Sequence, residues 1–150
     1  MRRTITTTAV LAAVLAAVLA PLAAAPAATS APAAARAYVD TRVRDCAGPG
    51  PGCRPGVVVH HWHRRGSDSR GVGWVYASRE GVRSGTARWT VKTPGGTWKA
   101  GGGWKRASRV GSHVETSWGR DGRTGPKYPK NSRICVEFRG LSTKACVTLK

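Results

Sequence analysis

Beyond residue 37, apolar and polar residues alternate with a period of two through most of the chain. Short runs rich in Val, Trp, Thr and Tyr are separated by Gly, Pro, Asp and Ser at intervals typical of strands and turns. No run has the longer period of an amphipathic helix. The pattern predicts an all-β domain, a small antiparallel β-sandwich or barrel of about seven short strands.

Three segments are expected to depart from a simple half-buried strand. The run 57–63 is the most apolar, and both of its faces are half apolar, so we expect it to lie centrally in the sheet. The triple glycine 101–103 interrupts the alternation, as a loop or a sharp bend would. Residues 119–131 are basic, contain two prolines and are rich in turn residues, which predicts a loop.

The last two predicted strands, 133–138 and 145–149, indicate their own register. Apolar residues occupy alternate positions in both, so a hairpin centred near Gly140 pairs Val136 with Ala145. The same register places Cys135 opposite Cys146, where a cross-strand disulfide can form. A strict two-residue turn would make these cysteines a hydrogen-bonded pair, which suits a disulfide less well.

The other two cysteines, Cys46 and Cys53, flank a Gly/Pro-rich loop that cannot form a regular element. Four cysteines allow three connectivities. We favour the local one, Cys46 with Cys53 and Cys135 with Cys146. The two crossed connectivities, which would tie the N-terminal loop to the C-terminal hairpin, remain open.

The first 37 residues differ in composition from the rest. A basic start at Arg2 and Arg3 precedes an apolar run over 9–20 and then Pro21 with small residues, which is typical of a signal peptide. Ala-x-Ala sites predict cleavage after residue 37, or as early as after residue 27. The apolar run is shorter than the roughly 20 residues that a membrane-spanning helix needs. We therefore expect a secreted, extracellular protein without a transmembrane segment.

Charge distinguishes the expected exported domain, residues 38–150. The whole chain carries a formal net charge of +18, and residues 38–150 hold 22 basic and 7 acidic side chains, a net charge of +15. A chain of this length forms a single domain with a modest core, so we expect a disulfide-stapled monomer. A charge of this size attracts polyanions, although it is also compatible with a merely solvated basic surface.

Tryptophan is the second unusual feature, with six residues in the chain. Four lie in predicted strands and are expected to be mostly structural: Trp62, Trp74, Trp89 and Trp118. Of these, Trp74 shares a strand face with Val72 and Tyr76. The other two flank the triple glycine beside cations, where indole rings can stack on sugars or unpaired bases, or simply cover the sheet edge. The candidate binding residues are Trp98, Trp104, Lys99, Lys105, Arg106 and Arg109.

Histidines provide the remaining candidate chemistry. His61 and His63 share a strand face and could chelate zinc or copper with a third ligand from elsewhere, but solvated histidines are the simpler interpretation, and we expect no metal and no cofactor. His113 and Glu115 also share a face. With His61 or His63 they could instead cleave a phosphodiester, Glu115 acting as base and a histidine as acid.

These observations favour a non-enzymatic secreted protein that binds an anionic extracellular polymer or surface, such as nucleic acid, a wall polymer or an acidic polysaccharide. Two alternatives remain. One is a small secreted basic nuclease that uses the histidine and glutamate residues named above. The other is a cationic antagonist that disturbs membranes or inhibits a protease through an exposed loop such as 119–131, although no amphipathic helix supports the membrane version.

Overall fold

The computed structural model describes residues 37–50, 52–120 and 122–150, so the predicted signal peptide lies outside the described residues apart from Ala37. The described residues form nine strands and no helix, which confirms the all-β prediction but not the count of seven. They include no helix long and apolar enough to cross a membrane. The strands are β1 (Tyr38–Cys46), β2 (Gly56–Arg64), β3 (Ser69–Glu80), β4 (Gly85–Lys92), β5 (Trp98–Val110), β6 (His113–Gly119), β7 (Lys127–Pro129), β8 (Arg133–Phe138) and β9 (Ala145–Thr148).

All pairings are antiparallel, and the strand order is β1-β2-β3-β6-β5-β4-β8-β9, with β7 pairing with β3. The apolar strand β2 lies between β1 and β3. At the two ends of this order, β9 lies against β1. The backbone N–H of Cys146 donates to Asp45 Oδ2 across this seam at 3.0 Å. The sheet is therefore nearly closed into a barrel.

The core fills the interior of the barrel with inward-facing side chains from alternate strand positions. Ring and aliphatic groups of β4 and β8 meet valines of β2 and β3 there. Buried members of this core include Val57, Val59, Val75, Ala77, Ala87, Trp89, Val91, Ile134, Val136 and Phe138. Because the strands alternate, the intervening positions of β1, β2 and β3 form an outer surface of the barrel.

A bulge in β3 decides which side chains reach that outer surface. Val72 and Val75 are both buried, although they are three positions apart and an odd spacing normally puts two strand residues on opposite faces. The β2–β3 register shifts between His60 and His61, so that Gly73 has no partner of its own. An extra residue of this kind reverses the alternation. The expectation that Val72 and Trp74 share a face is therefore wrong, and Trp74 lies outside.

The triple glycine does not end the strand, although the β4–β5 register shifts on both sides of Trp89, which pairs with Gly102. It lies within the 13-residue strand β5, where a loop or bend was expected. A Cβ added at Gly101 would lie 2.1 Å from a ring carbon of Trp89, and one at Gly102 would lie 2.3 Å from its Nε1. Glycine in a strand can mark a close approach of the backbone as well as a bend. Here Gly101 and Gly102 allow the β5 backbone to approach the buried indole of Trp89.

The segment 119–131 is also more ordered than a turn-rich loop. It contains β7, and the N–H of Val72 donates to the Pro126 carbonyl at 2.9 Å. The N–H of Lys130 donates to the Asp68 carbonyl at 2.6 Å. Residues 126–130 of this segment are therefore fixed along β3.

Both predicted local disulfides are present, Cys46–Cys53 and Cys135–Cys146. Val136 pairs with Ala145 as predicted. The strict two-residue turn is wrong, because β8 ends at residue 138 and β9 begins at residue 145. Cys135 and Cys146 lie 4.0 Å apart at Cα, and the N–H of Cys146 points to β1. They are a non-hydrogen-bonded pair, the closer kind of cross-strand pair.

Candidate functional site

The outer surface of β1, β2 and β3 carries a row of side chains set by the strand register. Arg42, His60 and Trp74 lie opposite one another on the three strands. The imidazole stacks on the Trp74 ring with centroids 5.8 Å apart and planes at 28°. The guanidinium carbon of Arg42 lies 5.6 Å from the same ring centroid. One half-buried indole of the outer surface thus contacts both a cation and a stacked ring.

A second group of rings and cations lies beside this row. Tyr38 and Trp62 meet edge to face with centroids 5.8 Å apart. The guanidinium carbon of Arg123 is 4.5 Å from the Tyr38 centroid, and that of Arg64 is 5.8 Å away. Lys127 Nζ lies 5.4 Å from the Trp62 centroid. Every one of these distances falls within the range of a cation–π contact.

We name this surface the aromatic–cationic face. It joins strands β1 to β3 with the segment after β6, and Arg120 borders it through a shallow depression of about 420 Å³ beside Trp74 and Tyr76. Its members are Tyr38, Arg42, His60, Trp62, Arg64, Trp74, Tyr76, Arg120, Arg123 and Lys127.

Asp40 organises the centre of the face. Its carboxylate accepts a hydrogen bond from Arg123 at 2.6 Å, and His60 Nε2 lies 3.4 Å from its other oxygen. The hydrogen bond from Arg123 holds the pKa of Asp40 below its usual value, so the carboxylate stays charged. One acid thereby orients two side chains, and the face keeps a strong positive charge.

A cleft opens next to this face because β5 and β6 diverge. They pair only over Ser108–Val110 and His113–Glu115. Beyond that point Trp118 bridges the gap, and its Nε1 donates to the Gly103 carbonyl at 3.1 Å. The resulting cleft of about 320 Å³ has mainly indole and backbone walls. It is lined by Val72, Gly73, Trp74, Val75, Trp89, Gly101, Gly102, Trp118, Gly119, Arg120, Thr124, Gly125 and Pro126.

The binding residues predicted from sequence all lie on β5. Trp98 is 47% exposed and Trp104 is 39% exposed. The cations nearest Trp104 are not its sequence neighbours: the guanidinium carbon of Arg88 is 4.6 Å from the ring centroid and that of Arg139 is 5.2 Å away. Lys105, expected beside the ring, donates instead to the Ser117 carbonyl at 2.7 Å. Lys99, Arg106 and Arg109 are exposed.

The predicted acid–base residues are only partly brought together. His113 Nε2 lies 3.0 Å from Glu115 Oε2, and the Tyr76 hydroxyl donates to the same carboxylate. The hydrogen bond from Tyr76, followed by that from His113, lowers the pKa of Glu115. Burial, with the same hydrogen bond, raises the pKa of Tyr76. This trio lies on the outer side of β3 and β6.

His61 and His63 lie far from that trio. On β3, His61 pairs with Val72 and His113 pairs with Glu80, which are eight residues apart. That separation is about 26 Å along a strand. Strand β3 also separates β2 from β6, so His113 and Glu115 do not supply the third ligand to His61 and His63. Within the described residues, no three His, Cys, Asp or Glu side chains form a group that could hold a metal ion.

His61 is instead an interior residue. It is 1% exposed, and neither ring nitrogen has a hydrogen-bond partner within the part of the chain that the structure describes. Burial lowers its pKa to about 4, with a further contribution from the charge of Arg70. Its neighbour along the face, His63, is half-buried, and burial lowers its pKa as well.

Sequence reasoning missed the aromatic–cationic face because it assigned Trp62 and Trp74 to structural roles. Trp62 is indeed buried, but Trp74 is on the outer surface. The available signal was the pair of glycines around Val72, since an isolated Gly in a strand indicates a bulge or a close backbone approach. A Cβ at Gly71 would lie 2.2 Å from the Trp62 ring, and one at Gly73 would lie 2.4 Å from His60 Nδ1.

The geometry therefore provides a surface of exposed cations over largely half-buried rings, with an indole-lined cleft at its edge. Comparison with known protein families, curated proteins and solved structures found no match to this chain.

Proposed function

We propose that this protein is exported and binds an anionic extracellular polymer, without catalysis, through the aromatic–cationic face. The observation that carries the proposal is the repeated placement of an exposed cation over an aromatic ring of the outer surface, at Tyr38, Trp62 and Trp74. Cations attract the charges of the polymer, and rings stack on its flat units. Candidate polymers are nucleic acid, a wall polymer and an acidic polysaccharide.

Preorganisation favours binding by this face. Arg123 is held between Asp40 and the Tyr38 ring, and His60 lies between Asp40 and Trp74. Side chains that are already ordered lose less conformational entropy when a ligand arrives. Guanidinium groups also present a planar set of donors to phosphate or carboxylate oxygens.

Export is supported by two independent features. The N-terminal pattern is typical of a signal peptide. The described domain contains two disulfides, which persist in oxidising compartments outside the cytosol. An extracellular location would also expose the basic surface to polymers of the cell exterior.

Trp98 and Trp104 provide a secondary contact in this proposal. Trp104 repeats the arrangement of the main face, with Arg88 and Arg139 close to its ring. Because β5 and β3 are both neighbours of β6, a long polymer can leave the main face and continue toward this strand.

The proposal is tested by binding of the secreted protein to single-stranded RNA and to heparin across a salt series. The face variant carries Arg42→Ala, Arg64→Ala and Lys127→Ala. The matched control carries Arg83→Ala, Lys92→Ala and Arg133→Ala, which removes the same charge from exposed positions elsewhere. For RNA, we plot the logarithm of the binding constant against the logarithm of the salt concentration. Each lost phosphate contact should make this slope shallower by roughly 0.7, so the three substitutions of the face variant should make it shallower by about 2 and those of the control by much less. The proposal would be contradicted if both variants lost the same amount of salt slope, or if binding did not depend on the salt concentration.

A second candidate is RNA cleavage, which one contact favours: the 3.0 Å pair of His113 and Glu115 on the outer surface. A carboxylate with a lowered pKa beside an imidazole has the components of an acid–base pair. RNA integrity on a gel decides between the candidates. Cleavage that is lost in Glu115→Gln would favour the nuclease, whereas intact RNA would favour the binding protein.

A further inference from the structure

We infer that the cleft between β5 and β6 holds one unpaired base of a single-stranded nucleic acid whose phosphates run along the aromatic–cationic face. This inference rests on the proposed function and narrows its ligand to one class of polymer. The walls of the cleft, one unpartnered donor and the position of the cleft beside the face support it.

The walls combine indole rings with bare backbone. Trp89 and Trp118 contribute rings, while glycines of β3, β5 and the segment after β6 contribute surfaces without side chains. Two of these glycines are required by the packing of Trp89 itself, since a Cβ at Gly101 or Gly102 would overlap the ring. Trp74 and Trp118 are half-buried and leave ring surface for a flat ligand, whereas the almost fully buried Trp89 offers little.

One residue that lines the cleft carries a buried polar group without a partner among the described residues. Trp89 is 4% exposed, and its Nε1 has no hydrogen-bond partner among the described residues. Trp118 differs, because its Nε1 already donates to Gly103. Buried indole N–H groups usually have an acceptor. The carbonyl oxygens and ring nitrogens of a nucleobase are acceptors of the required kind.

The composition of the cleft favours a base over a sugar. A sugar ring carries hydroxyl groups around its edge, and each one needs a partner when it leaves water. Apart from the tryptophans, the polar side chains that line this cleft are few, namely Arg120 and Thr124. A volume of about 320 Å³ lies near the lower end of the range for small-molecule sites, about 300–1,000 Å³, so it suits a single ring system.

The cleft is continuous with the aromatic–cationic face. Trp74, Gly119 and Arg120 border both the cleft and the outer depression. Arg42 lies over the outer side of the same Trp74 ring. A chain with phosphates on Arg42 and Arg120 can therefore direct one base past Trp74 into the cleft. A polymer with charges but no flat bases would use the face and leave the cleft empty.

The test compares three probes on the secreted protein: a short oligothymidylate, an abasic oligonucleotide of equal length, and heparin. We expect the oligothymidylate to bind about fivefold or more tightly than the abasic probe, as one stacked base provides, and to quench tryptophan fluorescence. Thr124→Phe, which adds a ring at the exposed rim of the cleft, should abolish this difference while leaving the abasic probe and heparin bound. Ser142→Phe, which adds the same ring on the exposed loop between β8 and β9, should change none of the three.

A second variant separates charge from stacking. Arg42→Gln should weaken both oligonucleotides by the same factor, because it removes a phosphate contact and Arg42 does not line the cleft. Equal affinity for the base-containing and abasic probes, with a steep salt dependence, would overturn the base site and leave the proposed function standing. A preference for bases that Thr124→Phe does not change would overturn the location. Failure of all three probes to bind would overturn both proposals.

Discussion

At the scale of single residues, the tryptophans of this barrel depend on glycines on the neighbouring strands. Gly101 and Gly102 make room for Trp89, and Gly71 makes room for Trp62. Gly103 differs from its two neighbours, because a Cβ added there would meet no atom within 4 Å. The three consecutive glycines are therefore not equivalent, although the sequence alone does not distinguish them.

This difference predicts opposite outcomes for two alanine substitutions. Gly101→Ala should lower the free energy of unfolding by about 1–3 kcal/mol, because the new methyl group forces the Trp89 ring out of its position. Gly103→Ala should change it by no more than about 0.5 kcal/mol, as for a surface substitution. Denaturant unfolding of both variants measures this contrast. Equal stability of the two variants would show that Trp89 can move without loss of packing.

His61 adds a titratable group to the barrel interior. Its pKa of about 4 in the folded protein lies below the value of about 6.5 for an unfolded histidine. Above the unfolded value both states are neutral, and stability is independent of this group. As the pH falls from about 6.5 to about 4, the unfolded state binds a proton that the folded state does not, so stability falls.

We therefore expect the free energy of unfolding to decrease by about 2 kcal/mol between about pH 7 and about pH 5, with His63 adding in the same direction. In His61→Leu this decrease should be much smaller. Chemical denaturation across this interval tests the expectation, and it avoids the lower pH at which Asp40, Glu115 and Glu137, whose pKa values are lowered, begin to bind protons. An unchanged slope in His61→Leu would contradict it.

At the scale of strands, the sequence pattern predicted those features that depend on contacts between residues close together in the chain. The C-terminal hairpin was predicted with its register and its disulfide, because both strands alternate and lie close in sequence. The continuity of β5 and the bulge at Gly73 were missed, because each depends on a ring from another strand, Trp89 or His60. Strand β7 was missed because Pro126 precedes it and Pro129 is its last residue, and prolines so close together indicate a loop until β3 is placed beside them.

The candidate site was predictable to a similar extent. Trp98 and Trp104 were chosen from their sequence neighbours, yet the cations beside Trp104 come from β4 and from the loop after β8. The aromatic–cationic face is assembled from β1, β2, β3 and residues beyond β6. Only the strand order reveals that these distant segments share one surface.

The seam between β1 and β9 depends on a side chain rather than on a strand ladder. Asp45 Oδ2 accepts the Cys146 N–H there at 3.0 Å. Asp45→Ala should lower the free energy of unfolding by about 1–2 kcal/mol, since a hydrogen bond to a charged group is lost. It should also speed hydrogen exchange at Cys146. Asp68→Ala, at another exposed acid, is the matched control, and equal exchange in both variants would show that the seam needs no link from Asp45.

At the scale of the whole molecule, charge opposes the compact state. Residues 38–150 carry a net charge of +15, and the ion pairs of Asp40 and Glu137 neutralise only a few of the cations. Like charges on one small domain repel each other over the screening length, which is about 30 Å in dilute salt and about 10 Å near 0.1 M. Folding brings these charges closer together, so screening by counterions stabilises the folded state more than the unfolded state.

The melting temperature should therefore rise as NaCl increases from about 10 mM to about 300 mM, because screening relieves the repulsion. A polyanion in dilute salt should raise it further, since a ligand that binds only the folded state adds stability according to its concentration and affinity. That additional gain should shrink in the Arg42, Arg64 and Lys127 triple variant but persist in the Arg83, Lys92 and Arg133 control. Thermal unfolding with and without heparin distinguishes the two effects. If both triple variants lose the gain equally, the polymer responds to total charge, and the aromatic–cationic face has no special part in binding.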